Sequence, residues 1–156
     1  MLHIQGSHGP SYYKRYPQEF ERFKPTCQTN QLEKCSQESL VNTYDNTLLY
    51  TDFILSKIIA LLKQKQDYQS TLLYVSDHGE SLGENGIYLH GMPYPLAPKE
   101  QTHVPMMFWS NDRQLMKKLD SKKDLEFSHD NIFHTILGYF KVKTPLYDST
   151  LDLLSN

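Results

Sequence analysis

An acid and a histidine stand together where an apolar run of the sequence ends. Asp77 and His78 follow TLLYVS at residues 71–76, and His90 comes after a loop rich in Gly, Glu and Asn. His8 follows a second short run of strand-like residues near the start of the sequence. Zinc in proteins takes imidazole nitrogen and carboxylate oxygen, usually four ligands in total. At catalytic sites it polarises phosphoryl oxygens. One acid and three imidazoles from separate segments therefore indicate a zinc site suited to phosphoryl chemistry.

Each of these residues also has an ordinary structural explanation. Asp77 can cap a turn, and the three histidines can be hydrogen-bonded or solvated residues of turns and loops. Glu80 and Glu84 are either acids that hold the ligands in place by hydrogen bonds or solvated charges of the loop, and the solvated state is the more common one. The other histidines are expected to be structural or solvated; they are His3, His103, His129 and His134.

The strands that position these residues are predicted from short apolar runs at 2–5, 71–76 and 104–109. The run at 71–76 follows a helical pattern and is largely apolar, so we expect a buried parallel strand there. Ligands of open α/β sheets bind outside the carboxyl ends of the strands. Asp77 and His78 stand at such an end.

Two helices are predicted. Ser36 is a suitable N-cap for a long helix that reaches about Gln66, and Ser128 caps a second helix over 128–140. The order strand–helix–strand–loop–strand–helix is typical of an α/β fold. The apolar stripe of the long helix comprises Leu40, Tyr44, Leu48, Leu55, Ile58, Ile59 and Leu62. The inward face of the second helix comprises Ile132, Phe133, Ile136 and Leu137.

Bulk properties are those of an ordinary globular protein. The chain has 156 residues, which suits one domain, and its formal net charge of −2 gives no electrostatic argument for nucleic acid as a partner. No apolar stretch approaches the roughly 18 residues that a membrane span needs. The first ten residues do not have the pattern of a signal peptide. Taken by itself, this pattern predicts a soluble, cytosolic chain.

Cys27 and Cys35 flank the polar loop QTNQLEK. A disulfide between them would imply an oxidising compartment. The alternatives are two free thiols or half of a metal site, although the spacing is not that of a zinc-binding CxxC pair.

Three stretches resemble the lipid A phosphoethanolamine transferases, a family that includes the mobile colistin-resistance enzymes. They are GSHGPSYYKRYP, NTYDNTLLYTD and SDHGESLGENGIYLHGMPY, and the resemblance runs from residue 2 to about residue 153. It implies an alkaline-phosphatase/sulfatase-like α/β sandwich, with a mostly parallel sheet between helices. Residues 1–156 would be the C-terminal portion of that catalytic domain, with only the C-terminal half of the sandwich.

The resemblance also implies a function. The family transfers phosphoethanolamine from phosphatidylethanolamine to lipid A of lipopolysaccharide through a phospho-threonine intermediate, which gives polymyxin resistance. It uses Zn²⁺ and lies at the periplasmic face of the bacterial inner membrane, anchored by N-terminal helices. For this chain, the family pattern makes Asp77 and His78 zinc ligands. It makes His8 and His90 ligands of the substrate phosphate or of a second zinc. The loop disulfides of the family favour a Cys27–Cys35 bond.

One departure from the family limits the expected activity. The threonine nucleophile and a zinc-binding glutamate of the family precede the GSHGP motif, and no threonine of this sequence matches the nucleophile motif. We therefore expect the 156 residues alone to be inactive and to bind zinc weakly. Two other functions stay open at this point: a sulfatase- or phosphatase-type ester hydrolase, and a truncated product without enzymatic activity.

Overall fold

The computed structural model describes residues 1–155 and shows an α/β chain, as the sequence predicts. Its helices are α1 (Gln37–Lys63), α2 (Lys99–Thr102), α3 (Arg113–Asp120) and α4 (Asp130–Tyr139). Its strands are β1 (Thr71–Val75), β2 (Ser81–Leu82), β3 (Tyr88–Leu89) and β4 (Met106–Ser110). Short 3₁₀ turns lie at Tyr12–Lys14, Gln18–Phe20, Leu32–Lys34, Glu84–Gly86 and Tyr94–Leu96.

The long helix begins where the sequence predicts and ends three residues early. The Ser36 hydroxyl accepts the N–H of Ser39 at 3.2 Å, which is the bond of an N-cap. The predicted apolar stripe is only partly buried, because Leu40 is 1 % exposed whereas Leu48 is 45 % exposed. The other buried residues of α1 are small and polar: Ser39, Thr43, Asn46, Thr47 and Thr51.

This polar face binds the irregular segment that precedes the helix. Asn46 accepts the N–H groups of Arg22 and Phe23, at 2.8 and 2.9 Å, and donates to the carbonyl of Phe23 at 3.0 Å. Thr43 accepts the N–H of Cys27 at 2.7 Å. Backbone groups that no strand or helix pairs need other partners, either side chains or water. The side chains of α1 supply them, which is why this face is polar.

The strand β1 is confirmed, but its five residues are half-buried and not fully buried, and its neighbour runs the other way. Ser76 N–H donates to Pro105 O at 3.3 Å, and Asn111 N–H donates to Ser70 O at 3.1 Å. The end of β1 therefore lies beside the start of β4, so the two hydrogen-bonded strands are antiparallel. The expectation of a parallel neighbour is wrong for this pair, because residues 76–105 bring the chain back to the end of β1 at which they left it, and β4 therefore runs back along β1.

Two other predictions are corrected. Residues 2–5 form no strand, since they have no hydrogen-bonded neighbouring strand among the described residues. In α4 the buried residue is Thr135, at 2 % exposure, whereas Phe133 and Ile136 are 50 % and 46 % exposed. The predicted inward face is thus wrong for Phe133 and Ile136, whereas Ile132 and Leu137 are half-buried. The helix turns a hydroxyl inward, because Thr135 accepts the N–H of Leu153 at 3.0 Å.

The chain forms two compact units. The first consists of Met1–Leu61 and Val75–Met106, and its core is Tyr12, Cys27, Leu32, Leu40 and Leu82. The predicted disulfide is present in this unit, with 5.7 Å between the Cα atoms of Cys27 and Cys35. The second consists of Leu62–Tyr74 and the residues from Met107 onward, where the Tyr139 hydroxyl donates to Thr71 at 2.8 Å. Across residues 1–155, no helix has the length and apolar character to cross a membrane.

Candidate metal centre

A short hairpin returns the chain to the end of β1. Strands β2 and β3 are antiparallel, and Ser81 is paired with Leu89. The turn between them starts at Gly83, whose φ of +113° is a conformation that side-chain-bearing residues rarely adopt. This register places Glu80 beside His90, the residues that flank the hairpin, although ten positions separate them in the sequence.

Gln101 connects the two ends of the hairpin by hydrogen bonds. The side chain of Gln101 is 6 % exposed; it donates to the Ser81 hydroxyl at 2.9 Å and accepts the N–H of Met92 at 3.4 Å. The backbone carbonyl of Gln101 accepts the N–H of Gly79 at 2.9 Å. A Cβ at Gly79 would lie 2.0 Å from the carbonyl oxygen of Glu100. Only glycine allows the backbone between His78 and Glu80 to approach this closely.

Three histidines meet at this place. His8, His78 and His90 each offer a ring nitrogen, and the three atoms lie within 4.8 Å of one another. The rings of His78 and His90 are stacked with 3.8 Å between their centroids, and the centroids of His8 and His90 are 5.2 Å apart. The structure thus brings together three of the four residues that the sequence selects.

Asp77, the fourth, lies at the rim. Its side chain is 80 % exposed, and its Oδ2 is 3.9 Å from His78 Nε2. Two ligands of one tetrahedral zinc, each about 2.0–2.1 Å from the ion, lie roughly 3.3 Å apart. The Asp77–His78 pair is close to that separation. The spacing of up to 4.8 Å in the histidine group is wider than that separation.

The hydrogen bonds of the rings fit a metal. His78 Nδ1 is 2.9 Å from Gly79 O, and His90 Nδ1 is 3.1 Å from Glu80 Oε1. A carbonyl or carboxylate oxygen only accepts, so Nδ1 carries the hydrogen in both neutral rings and Nε2 keeps its lone pair. Metal-binding histidines commonly have their second nitrogen fixed in this way. Three imidazoles and a carboxylate are, moreover, a donor set that zinc accepts.

Glu80 is the buried acid of the site, at 6 % exposure. Besides His90, its carboxylate accepts the N–H of Gly9 at 3.0 Å and the hydroxyl of Tyr12 at 3.2 Å. His8 Nδ1 lies 3.9 Å from the same carboxylate oxygen that faces His90. Glu80 thus joins the segments that carry two of the histidines. Glu84, in contrast, accepts the N–H of Leu82 at 2.7 Å and shapes the hairpin turn.

The four other histidines lie outside the group that could hold a metal in the described part of the chain. His134 Nδ1 accepts the N–H of Asp148 at 3.0 Å, which is a structural contact as expected. Sequence reasoning missed Tyr12 and Gln101, and also Arg15, whose Nε donates to the carbonyl of His8 at 2.8 Å. No sequence pattern identifies these residues, since each contacts its partner only in the folded chain and no local motif indicates that contact.

The grouped histidines, the buried acid behind them and the α/β elements are the features expected of an alkaline-phosphatase/sulfatase-like domain. The profile of the sulfatase family matches residues 1–142, and the chain belongs to this family. The fold class predicted from the sequence is confirmed by this match and by the related structures described next.

Within the family the chain is similar to phosphoethanolamine transferases. It is 52% identical to phosphoethanolamine transferase EptA of Salmonella typhimurium, over 99% of this chain and 30% of that protein. It is 50% identical to phosphatidylethanolamine transferase Mcr-1 of Escherichia coli, over 91% of this chain and 26% of that protein. The crystal structure of the C-terminal periplasmic domain of phosphoethanolamine transferase EptC from Campylobacter jejuni superposes with a TM-score of 0.97. That domain is 64% identical, and the match covers 99% of this chain and 50% of that one.

The chain therefore spans about a third or less of the length of these curated relatives. It spans half of the solved periplasmic domain.

Proposed function

We propose that the chain forms part of the catalytic domain of a zinc-dependent transferase, which moves phosphoethanolamine from phosphatidylethanolamine to lipid A. The observation that carries this proposal is the group of three imidazoles within 4.8 Å, backed by a buried carboxylate. The names of the similar proteins support the choice of donor, because they are phosphoethanolamine and phosphatidylethanolamine transferases. A third relative, 36% identical, is named a Kdo(2)-lipid A phosphoethanolamine transferase, which supports the acceptor.

In this proposal Asp77 and His78 hold the zinc, and His8 and His90 bind the phosphate of the substrate or a second zinc. Zinc supplies positive charge that polarises the phosphoryl oxygen and stabilises the attacking and leaving oxygens. The residues of the chain position the reacting groups. Gly79 O and Glu80 hold the Nδ1–H groups of His78 and His90, so that Nε2 of each ring is available.

The surroundings of the site follow from its likeness to the periplasmic domains. We propose that the protein acts at the periplasmic face of the inner membrane, where donor and acceptor lipids are both present. Transfer of phosphoethanolamine adds an amine to lipid A, lowers the negative charge of the outer membrane and so weakens the binding of polymyxins. The disulfide between Cys27 and Cys35 is consistent with an oxidising compartment.

A chimera tests the transferase function. The matching segment of Salmonella EptA is replaced by these 156 residues, and lipid A from cells that produce the chimera is analysed by mass spectrometry. We expect lipid A to carry phosphoethanolamine and the cells to survive polymyxin. The same chimera with His78→Ala should do neither, whereas His103→Ala, a histidine outside the group, should behave as the parent. A folded chimera without transfer would contradict the proposal.

Zinc binding is tested on the 156 residues by titration calorimetry. We expect weak binding that His78→Ala abolishes and His103→Ala leaves unchanged. Equal affinities of the two variants would argue against the proposed ligands. We also expect the 156 residues alone not to transfer phosphoethanolamine between labelled lipids, because no threonine matches the nucleophile motif of the family. Transfer that His78→Ala abolishes would refute this expectation.

The family match supports a second candidate, hydrolysis of a sulfate or phosphate ester, because the matching profile is that of the sulfatases. The two functions differ in the acceptor, which is water for a hydrolase and a lipid hydroxyl or phosphate for a transferase. Purified chimera supplied with labelled phosphatidylethanolamine and lipid A distinguishes them. Label on lipid A indicates transfer, and free phosphoethanolamine without labelled lipid A indicates hydrolysis.

A further inference from the structure

Glu80 receives three donors from two separate segments of the first unit, residues 9–12 and residue 90. One carboxylate oxygen, Oε1, accepts Gly9 N–H at 3.0 Å and faces His90 Nδ1 at 3.1 Å. The other oxygen, Oε2, accepts the Tyr12 hydroxyl at 3.2 Å. One oxygen of Glu80 thus faces His90 and the other faces Tyr12. The two contacts together set the orientation of the Glu80 carboxylate.

The Tyr12 hydroxyl is in a suitable place to fix that orientation. Tyr12 is 1 % exposed, and its ring packs edge-on against Tyr44 with 5.5 Å between centroids. Burial, together with the neighbouring Glu80 carboxylate, raises the pKa of Tyr12, so its hydroxyl stays a hydrogen donor. A rigid, buried ring with a permanent donor can hold one oxygen of Glu80 in a single place.

From this geometry we infer that Tyr12 is a positioning residue of the site, acting through Glu80 to keep His90 in the Nδ1–H tautomer. With Oε2 held by Tyr12, Oε1 faces His90 and can only accept from it. The hydrogen of the neutral ring then stays on Nδ1, and Nε2 keeps its lone pair for a ligand. The inference rests on the proposed role of His90 as a ligand of phosphate or metal.

Loss of the hydroxyl should release this arrangement. In Tyr12→Phe the ring and its packing are kept, but Oε2 of a buried carboxylate loses its donor. A buried acceptor without a partner is unfavourable, so Glu80 is expected to rotate or to admit water. His90 then loses its fixed acceptor, and the Nε2–H tautomer, which is the wrong one for a ligand, becomes populated.

The tautomer can be measured without metal. The test uses the ¹⁵N-labelled 156-residue chain, freed of metal and kept at about pH 8, where free imidazoles are neutral. Long-range ¹H–¹⁵N correlation spectra show which ring nitrogen carries hydrogen. We expect only the Nδ1–H form of His90 in the wild type and a mixture in Tyr12→Phe. Zinc binding by Tyr12→Phe should be about tenfold weaker, at the low end of the effects found for residues behind metal ligands.

A control separates loss of the bond to Glu80 from loss of a buried hydroxyl as such. Tyr16→Phe also removes one hydroxyl from a buried tyrosine of the same segment, at 8 % exposure, but this hydroxyl has no hydrogen-bond partner among the described residues. It should leave the His90 tautomer and the zinc affinity as in the wild type. Equal effects of Tyr12→Phe and Tyr16→Phe would overturn the inference, and so would an unchanged tautomer in Tyr12→Phe.

A measurement on the wild type keeps the inference testable if Tyr12→Phe does not fold. The hydroxyl proton of Tyr12 should exchange slowly with water and be visible by NMR, and its absence would count against the bond to Glu80. The outcomes also separate this inference from the proposed function. If the tautomer shifts in Tyr12→Phe although the wild type binds no zinc, the inference stands and the zinc proposal fails. If His78→Ala abolishes zinc binding but Tyr12→Phe leaves the His90 tautomer and the zinc affinity unchanged, the zinc proposal stands and the inference about Tyr12 fails.

Discussion

Asn46→Ala should be among the most destabilising single changes in α1. Asn46 is fully buried, and its side chain makes three hydrogen bonds to the backbone of Arg22 and Phe23, at 2.8, 2.9 and 3.0 Å. Each such bond contributes about 1 kcal/mol net, so their loss should lower the free energy of unfolding by about 3 kcal/mol. The further cost of leaving the backbone groups without partners is limited, because Phe23 is 44 % exposed and water can reach its backbone.

Urea denaturation measures this change as a shift of the midpoint at constant slope. The matched control is Asn42→Ala on the same helix, since Asn42 makes one exposed hydrogen bond, to the carbonyl of Pro25 at 3.1 Å. This variant should lose about 1 kcal/mol or less. Amide hydrogen exchange adds a local measurement, because the N–H groups of Arg22 and Phe23 should exchange faster in Asn46→Ala and not in Asn42→Ala.

Equal stabilities of Asn46→Ala and Asn42→Ala would refute the role assigned to Asn46. In that case the polar face of α1 would not hold the preceding segment. Its buried threonines and asparagine would then need another explanation.

Gly79→Ala should weaken zinc binding at least tenfold. A Cβ at residue 79 would lie 2.0 Å from the carbonyl oxygen of Glu100, so the backbone of the site must move. An unchanged zinc affinity in titration calorimetry would contradict this prediction. Reduction of the Cys27–Cys35 disulfide, whose sequence separation is 8, should lower the free energy of unfolding by about 2.5 kcal/mol on the loop-entropy model. Urea denaturation with and without reductant measures the loss, and coincident curves would exclude it. Burial and the Glu80 carboxylate raise the pKa of Tyr12, so the folded state keeps a proton that the unfolded chain loses above about pH 10. The stabilisation from this proton is fully present below that pH and is lost as the pH rises. The free energy of unfolding should then fall by about 1.4 kcal/mol per pH unit more in the wild type than in Tyr12→Phe. Equal slopes of this free energy against pH in the two proteins between pH 10 and 11 would refute this assignment.

Elements with strong local signals were predicted well. The apolar run ending at Val75 forms β1, and the cap at Ser36 starts α1. Ser128 also bonds to the first turn of α4, since its hydroxyl accepts the N–H of Asp130 at 3.2 Å. These signals depend on residues within a few positions of each other, which is the range over which a sequence pattern reports structure directly.

Predictions that needed a partner element failed or were incomplete. The run at 2–5 has strand-like residues, but a strand forms only beside another strand. The direction of β4 relative to β1 depends on the path of the loop between them, which periodicity does not show. The buried face of α1 was predicted from its leucines, yet a neighbouring irregular segment required hydrogen-bond partners there, and threonine and asparagine supplied them.

The candidate site divides in the same way. The sequence by itself determined the candidate donors, because Asp77, His78, His8 and His90 carry the carboxylate and imidazole groups that zinc takes in proteins. The tertiary structure alone decided that His8, His78 and His90 meet, that Asp77 stays at the rim, and that Glu80 is buried while Glu84 shapes a turn. The bond from Tyr12 to Glu80 joins residues 68 positions apart. Such a contact depends on how the hairpin and the first segment pack together, and neither residue type nor local spacing specifies that packing.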